Sequence, residues 1–289
     1  MGAPTVRRRR LGAELRRLRE QQRLTTDHVA KQFGWHNAKV SRIETGRSAA
    51  RPGDVQSLLD LYGTHDELKR RALVALARNG NRRGWWQTYS DVLTSAYTDF
   101  ISLEADATVM RTYECGLVPG LFQTAAYARD VIAGINMTET SEEVDRLAEV
   151  RQARQAVLTR PNPLEVWAVV DEGVLRTRTT GGPHVMCDQL QRMLDLAAFP
   201  NVTIQVMPQA AGPHPGRSGA FAILGFPERH DMDVVLVENL TNALYMEEQH
   251  EVDRYAAAFQ RIVADALSLD DSLHLIRNLK DELSEHAHS

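Results

Sequence analysis

The sequence predicts a two-domain chain that is mainly helical, with an α+β second domain. Its 289 residues are about twice the usual length of one domain. Apolar residues recur at the spacing of amphipathic helices over residues 1–79, whereas short runs with strand-like alternation appear only after residue 163. We therefore predict a five-helix domain at 1–79, a linker at 80–84, and a larger domain at 85–289 that mixes helices and strands.

Composition indicates a folded chain, and the distribution of charge indicates that its N-terminal and C-terminal parts bind different partners. Apolar residues make up 43% of the chain and charged residues 25%, which is typical of globular proteins and excludes a disordered chain. Residues 1–83 carry 19 basic and 8 acidic side chains, a net charge of +11, whereas the remainder carries 15 and 30, a net charge of −15. A compact domain at +11 suits a polyanion, which the acidic part would repel.

The sequence contains no signal that would direct the chain out of the cytoplasm. Cys115 and Cys187 are too few for a disulfide framework, and the longest uncharged stretch, 196–216, contains four prolines. The arginine-rich start is not followed by the apolar segment of a signal peptide. We therefore expect a cytoplasmic protein that does not contact a membrane.

Five short helices account for the basic part of the chain. Leucines at helical spacing in 11–18 mark the first helix, and apolar spacing predicts the fourth and fifth helices around 55–62 and 67–76. Thr64 and Glu67 have the spacing of a capping box before the fifth helix.

The second and third helices are separated by a break of only three residues. Thr25 is a suitable N-cap for the second helix, and Gly34 is the residue type that most readily ends one. The third helix is predicted at about 37–44, with Val40 and Ile43 facing inward. The side chains predicted to face outward are Asn37, Ala38, Lys39, Ser41 and Arg42.

This arrangement predicts a helix-turn-helix that places its second helix in the major groove of DNA. Asn can bind adenine and Arg can bind guanine through two hydrogen bonds, each pair contributing roughly 1–3 kcal/mol of discrimination, and Ala can contact a thymine methyl group. The outward side chains therefore suit base recognition. The alternative is a helical bundle with a basic surface that binds no DNA.

Residues 11–51 resemble the Cro and phage-repressor class of regulators, also called the xenobiotic-response-element type. The most specific segment is 40–47, Val-Ser-Arg-Ile-Glu-Thr-Gly-Arg. The resemblance implies that Asn37, Ala38 and Arg42 read bases. It also implies that Thr26 and Lys39 lie at the edge of the groove and that Arg47 contacts phosphate. His36 stands where Ser or Thr usually caps the recognition helix, so either Asn37 caps it or its first turn has a different shape.

The acidic part is predicted to alternate helical blocks with strands. Helices are expected at 92–111 and 122–132, then after a capping box at Thr140, then around 190–197, 252–266 and 273–283. Strands are expected at 164–170, 202–206, 221–226 and 234–237. This grouping predicts an α+β domain with a roughly four-stranded mixed or antiparallel sheet.

A second resemblance covers nearly all of the acidic part. The segments that carry it are Trp85-Trp86, 118–129, 151–155, 171–176 and 218–221. They look like the C-terminal domain of a large actinobacterial group of helix-turn-helix regulators, a domain without an assigned activity. The resemblance implies an antitoxin-like protein whose partner is a small protein encoded by a neighbouring gene, and an association with the control of development and antibiotic production.

The acidic part lacks the sequence signatures of an enzyme. No nucleophile elbow, phosphate-binding loop, dinucleotide fingerprint or zinc-protease motif occurs. His184 and Cys187 have the spacing of two metal ligands, but no second pair lies near them in the sequence. We expect neither catalytic residues nor a metal or cofactor.

Three features of the acidic part suggest a ligand or partner site. Gln123 and Tyr127 lie close to the helix break at Pro119-Gly120. Arg151 and Arg154 are cations in an acidic domain. His214 and Arg217 belong to a loop rich in glycine and proline that leads into a strand. Each feature also has an ordinary structural explanation.

Two functions remain open, beside a third in which the acidic domain is an enzyme tethered to DNA. The first is a DNA-binding regulator, a homodimer on a double-stranded operator, whose acidic domain receives a small protein or a small-molecule effector. Dimerisation is expected to use the helices at 252–266 and 273–283, whose apolar faces can alternatively pack inside the domain. The second is an antitoxin-like protein that neutralises a small partner and autoregulates its own operon.

Overall fold

The computed structural model describes residues 6–79, 84–135, 140–226, 233–240 and 243–287. The predicted linker, 80–84, lies outside these ranges except for Gly84. Within the described ranges the chain forms twelve α-helices and one sheet of six strands.

The basic part forms the five predicted helices. They are α1 (Val6–Gln21), α2 (Thr26–Phe33), α3 (Asn37–Glu44), α4 (Pro52–Leu61) and α5 (Glu67–Asn79). Their apolar faces meet in one core that includes Leu15, Val29, Val40 and Leu59. The predicted capping box at Thr64 is wrong. Asp66 caps α5 instead, because its carboxylate accepts the backbone N–H of Lys69 at 3.0 Å.

The acidic part contains the remaining seven helices and all six strands of the described chain. The helices are α6 (Ser95–Asp106), α7 (Ala125–Ile135), α8 (Ser141–Arg154), α9 (Glu172–Leu175), α10 (Pro183–Ala197), α11 (Gln249–Asp265) and α12 (Leu269–Ala287). The strands are β1 (Val109–Glu114), β2 (Glu165–Asp171), β3 (Val202–Met207), β4 (Phe221–Gly225), β5 (Val234–Glu238) and β6 (Ala243–Met246).

The strands form a mixed sheet in the order β3-β2-β1-β4-β5-β6. β1 pairs with β2 in parallel and with β4 antiparallel, so that Val109 lies opposite both Glu165 and Gly225. The β2–β3 pair is parallel, and the β4–β5 and β5–β6 pairs are antiparallel. The predicted α+β class is confirmed. The sheet has two strands more than expected among the described residues, because β1 and β6 were not predicted.

Helices cover the two faces of the sheet unequally. One face carries residues such as Ala168, Ile204 and Leu224 and packs against α6, α7, α10 and α12. The other face carries Val169, Ile223 and Val235 and packs against α11. α11 buries Val252, Phe259 and Ile262, and α12 buries Ile276 and Leu279. The apolar faces predicted to join two copies of the chain are therefore used inside the domain.

Candidate nucleic-acid interface

Local interactions determine both ends of α2 and the turn that follows it. The Thr25 side chain accepts the backbone N–H of His28 at 3.1 Å, so it caps the helix as predicted. Gly34 ends α2 in the left-handed conformation with φ of +64°, which glycine adopts without steric cost. The N–H of Trp35 then donates to the carbonyl of Ala30 at 2.8 Å. This compact turn directs the chain into α3 two residues later.

α3 separates apolar from polar side chains as the sequence predicts, except that Lys39, predicted to face outward, is half-buried. Val40 and Ile43 are buried in the domain core. The side chains on the opposite face are exposed: Asn37, Ala38, Ser41 and Arg42. Among the described residues, no acidic group pairs with Arg42. The guanidinium of Arg42 is therefore available to an external acceptor.

The first turn of α3 resolves the alternatives left open at His36. His36 is the N-cap residue but makes no capping hydrogen bond with its side chain, and Asn37 is the first residue of the helix. Asn37 therefore does not cap α3. Its amide instead donates to the carboxylate of Asp27 on α2. One N–H of the Asn37 amide is therefore engaged by Asp27, whereas its second N–H and its carbonyl oxygen are the groups left for a base.

Lys39 and Thr26, both assigned to the groove edge, are half-buried. The Lys39 ammonium lies 2.9 Å from a carboxylate oxygen of Asp54 and 3.5 Å from the centre of the Trp35 ring. An ion pair and a cation–π contact thus hold Lys39 against α4 and the turn. Thr26 begins α2, one residue after its cap.

Arg47 is exposed on the turn that follows α3. The preceding residue, Gly46, approaches the start of α1 so closely that a Cβ there would lie 2.9 Å from the backbone nitrogen of Arg9. Arg9 is also exposed. The turn and the start of α1 therefore place two arginines of the basic domain near each other at the surface.

Two contacts that sequence analysis missed hold α3 against α1. Arg19 donates from Nε and Nη2 to the two carboxylate oxygens of Glu44, at 2.6 and 2.8 Å, and both side chains are buried. Gly12 allows the helices to touch, because a Cβ there would stand 2.4 Å from the carbonyl oxygen of Ile43. The residue types were visible in the sequence, but their separation of 25 or more positions gave no pairing signal.

Two other arginines of α1 face the acidic domain. Arg7 pairs with Asp106 at 2.5 Å and donates to the carbonyl of Ser102, both on α6. Arg10 lies 3.9 Å from Glu247 and stacks over the ring of Phe226 at 4.7 Å. Both arginines are at least nine-tenths buried. Part of the basic charge predicted to serve DNA therefore joins the two domains.

The pKa of Glu247 is shifted at this contact between the two domains. Burial raises the pKa of the Glu247 carboxyl to about 7, although the positive charges of Arg10 and Arg9 act in the opposite direction. Burial also lowers the pKa of the Arg10 guanidinium below its usual value. The junction between β6 and α11 is thus electrostatically linked to the basic domain.

Four candidate residues of the acidic domain belong to an internal network. Gln123 is buried, donates to the carbonyl of Val118 at 2.8 Å and accepts from Arg151 at 2.7 Å. The hydroxyl of Tyr127 accepts the N–H of Val118 at 3.3 Å. Arg154 forms a buried pair with Glu104 through contacts of 2.6 and 2.9 Å. These partners hold the Pro119-Gly120 break against α6 and α8.

His214 and Arg217 lie on the loop before β4, as the sequence suggested. His214 is buried, and its ring packs edge-on against Tyr113 with centres 5.8 Å apart. Its ring nitrogens have no hydrogen-bond partner among the described residues. Burial and the nearby Arg217 lower the pKa of His214, which favours the neutral ring. Arg217 is exposed and donates to the carbonyl of Ala211 at 3.3 Å.

The described residues contain neither a metal-binding cluster nor a membrane-spanning helix. No group of three or more His, Cys, Asp or Glu side chains could hold a metal ion there. None of the helices in the described ranges has both the length and the apolar character needed to cross a bilayer.

The geometry of α2, its turn and α3 defines a helix-turn-helix protein, the class that binds DNA through its second helix. Consistent with this, residues 10–73 match the family described as a helix-turn-helix domain. Residues 97–278, more than half of the chain, match the family described as a domain of unknown function, DUF5753, and the chain belongs to that family. The searches of curated proteins and of solved structures returned no match.

Proposed function

We propose that the chain is a sequence-specific transcriptional regulator of the xenobiotic-response-element type, which acts in the cytoplasm. The observation that supports this proposal is the exposed face of α3 in the basic part of the chain, where residues 1–83 carry a net charge of +11. Ala38, Ser41 and Arg42 lie on that face, and Arg42 is the principal reader of a base through two hydrogen bonds to guanine. Arg47 contacts phosphate and contributes affinity without sequence preference.

The acidic domain receives the signal in this proposal and performs no chemical step. Its signal is a small protein or a small organic molecule. Support comes from the direct contact between the domains, in which Arg10 of α1 lies against Glu247. A change at that contact can reach α3 through α1, because Gly12 and Arg19 of the same helix touch the end of α3.

The regulator binds its operator as a homodimer in this proposal. An eight-residue helix is about 12 Å long and reads only a few base pairs, so a specific site needs two half-sites about one helical turn apart. Because α11 and α12 bury their apolar faces internally, the edge strand β6 is the better interface. Leu240 and Leu244 at this edge are 76% and 57% exposed.

The same edge favours the alternative function, an antitoxin-like protein. A strand at the edge of a sheet can pair with a strand of another chain, and a small protein is one such partner. The two functions differ in one measurable respect. In a regulator, binding of the small protein changes the affinity for the operator. In an antitoxin, binding neutralises the activity of the small protein, and DNA binding serves autoregulation.

Selection of duplexes from a random pool by the full chain tests the main proposal. We expect one enriched motif, and Arg42→Ala should lower affinity for it by about 1–3 kcal/mol and relax the preference at one base position. Arg71→Ala is the matched control, because it removes the same charge from an exposed position on α5. Equal binding of the motif by the Arg42 variant and the parent would refute base reading by Arg42.

A further inference from the structure

The sheet face that packs against α11 is incompletely covered. Among the described residues, the apolar cluster on this face takes its helical members from α11 alone. Six strands about 4.8 Å apart span roughly 24 Å, whereas one helix is about 10 Å wide. α11 therefore leaves part of the sheet surface open beside it.

A groove of about 770 Å³ occupies this open surface. Its floor consists of Phe221, Val237 and Met246, from β4, β5 and β6 respectively. One wall is α11, and the other is the loop 215–220 that leads into β4. Sites for small molecules have volumes of roughly 300–1,000 Å³ and mainly apolar linings, so the groove has the dimensions of such a site.

Two arginines line the groove, although the domain has a net charge of −15. Arg254 and Arg261 lie seven residues apart on α11 and so share one face of the helix. Arg261 pairs with Asp265 at 3.0 Å, but no acidic group in the described ranges pairs with Arg254. Glu251 is the one carboxylate among the groove's lining residues. A cation without an internal partner above an apolar floor is complementary to an anion with an apolar body.

We propose that this groove binds a small organic carboxylate whose apolar body lies on Phe221, Val237 and Met246 and whose carboxylate meets Arg254. This inference deepens the proposed function and rests on it for its regulatory part. The fold was needed to show that Arg254 and Arg261 lie beside an apolar surface.

The position of the groove explains how its occupant acts on DNA binding. Met246 and His250 line the groove, and Glu247 between them contacts Arg10 of the DNA-binding domain. An occupant that moves the β6–α11 junction alters this contact and thereby the position of α1. Linkage requires the occupant and operator to change each other's affinity by the same factor, typically about 5-fold or more.

Calorimetric titration of the full chain with decanoate tests the binding site. Decanoate supplies both features of the proposed ligand, whereas decanol lacks the charge and decylammonium reverses it. We expect saturable binding of one decanoate per chain, with decanol at least about 10-fold weaker, a factor equivalent to 1.4 kcal/mol. Arg254→Ala should cause a similar loss. Arg277→Ala, at an exposed position on α12, should cause none.

A second variant and a second measurement keep the two proposals separable. Ala258→Trp fills the groove from the side of α11 and should abolish decanoate binding while circular dichroism shows an intact fold. Equal decanoate binding by the Arg254 and Arg277 variants, or no binding by the parent, would overturn the site. Operator affinity measured with and without decanoate tests the regulation. A chain that binds decanoate but no operator would contradict the proposed function and leave the site standing.

Discussion

Removal of the Glu44 carboxylate tests whether the buried pair with Arg19 holds the recognition helix in place. In the folded chain, two donors of Arg19 reach Glu44 and a third reaches the carbonyl of Leu24 at 2.6 Å. Glu44→Ala leaves two of these donors without acceptors in a site where the Arg19 side chain is 10% exposed. Loss of one partner of a buried pair generally costs about 3–5 kcal/mol.

The expected cost lies at the lower end of that range. Glu20 already stands 3.7 Å from Arg19 and is exposed, so the guanidinium can turn toward it and recover part of the lost interaction. We therefore expect Glu44→Ala to lower the free energy of unfolding by about 3 kcal/mol. Glu44→Gln retains one acceptor and should cost about half as much.

Urea unfolding followed by circular dichroism measures this loss, and anisotropy of a labelled operator measures its effect on DNA binding. The double variant Arg19→Met with Glu44→Leu removes both charges and should recover most of the stability, since apolar residues of similar size can replace a buried pair. A Glu44→Ala variant within about 0.5 kcal/mol of the parent would refute the assigned role of the pair, because that is the range of ordinary surface substitutions.

Arg47, Gly12 and Glu247 each have a surrounding that a single substitution can test. Arg47→Ala should weaken binding to all duplexes and reduce the slope of log affinity against log salt by about one; an effect confined to the operator would show base reading instead. Gly12→Ala should lower the melting temperature by forcing α1 from α3, whereas Gly53→Ala, with open space around it, should not; equal melting temperatures would contradict the close packing. The pKa of Glu247 is about 7 in the folded chain, compared with 4.5 for an ordinary glutamate in the unfolded chain. As pH rises, the unfolded chain therefore loses the carboxyl proton before the folded chain does. The free energy of unfolding should therefore fall as pH rises from 4.5 to 7. The fall should be less steep in Glu247→Gln. Part of it should remain in that variant, because the pKa of Glu114 is also raised to about 7. Identical pH profiles for variant and parent would contradict the raised pKa of Glu247.

The helix-turn-helix could be predicted because its determinants are local. Thr25 caps a backbone N–H three residues away, and Gly34 ends the same helix by its own conformation. The inward and outward sides of α3 follow from its 3.6-residue period, which places Val40 and Ile43 together. Each of these signals acts within one or two helical turns, so no knowledge of the rest of the chain was required.

The central strand β1 could not be found in the same way. Leu103, Ala107 and Met110 have the spacing of one helix face, so the helical period of α6 continues in the sequence as far as Arg111. β1 lies between β2 and β4 with helices on both faces of the sheet, and consecutive residues Thr112 and Tyr113 are both buried. A strand buried on both faces loses the alternation that identifies strands. The edge strand β6 has only four residues, too few for a pattern.

The sequence by itself determined that a basic helical domain precedes an acidic α+β domain and which side of α3 faces outward. It could not determine which arginines of the basic domain are exposed and which are buried against the acidic domain. Arg42 and Arg47 are exposed, whereas Arg7 and Arg10 are buried against Asp106 and Glu247. A charge is buried only where the fold supplies a partner, and here the partners lie about one hundred and more than two hundred residues along the chain. Only the tertiary structure brings them together, because side-chain burial depends on contacts that no local pattern encodes.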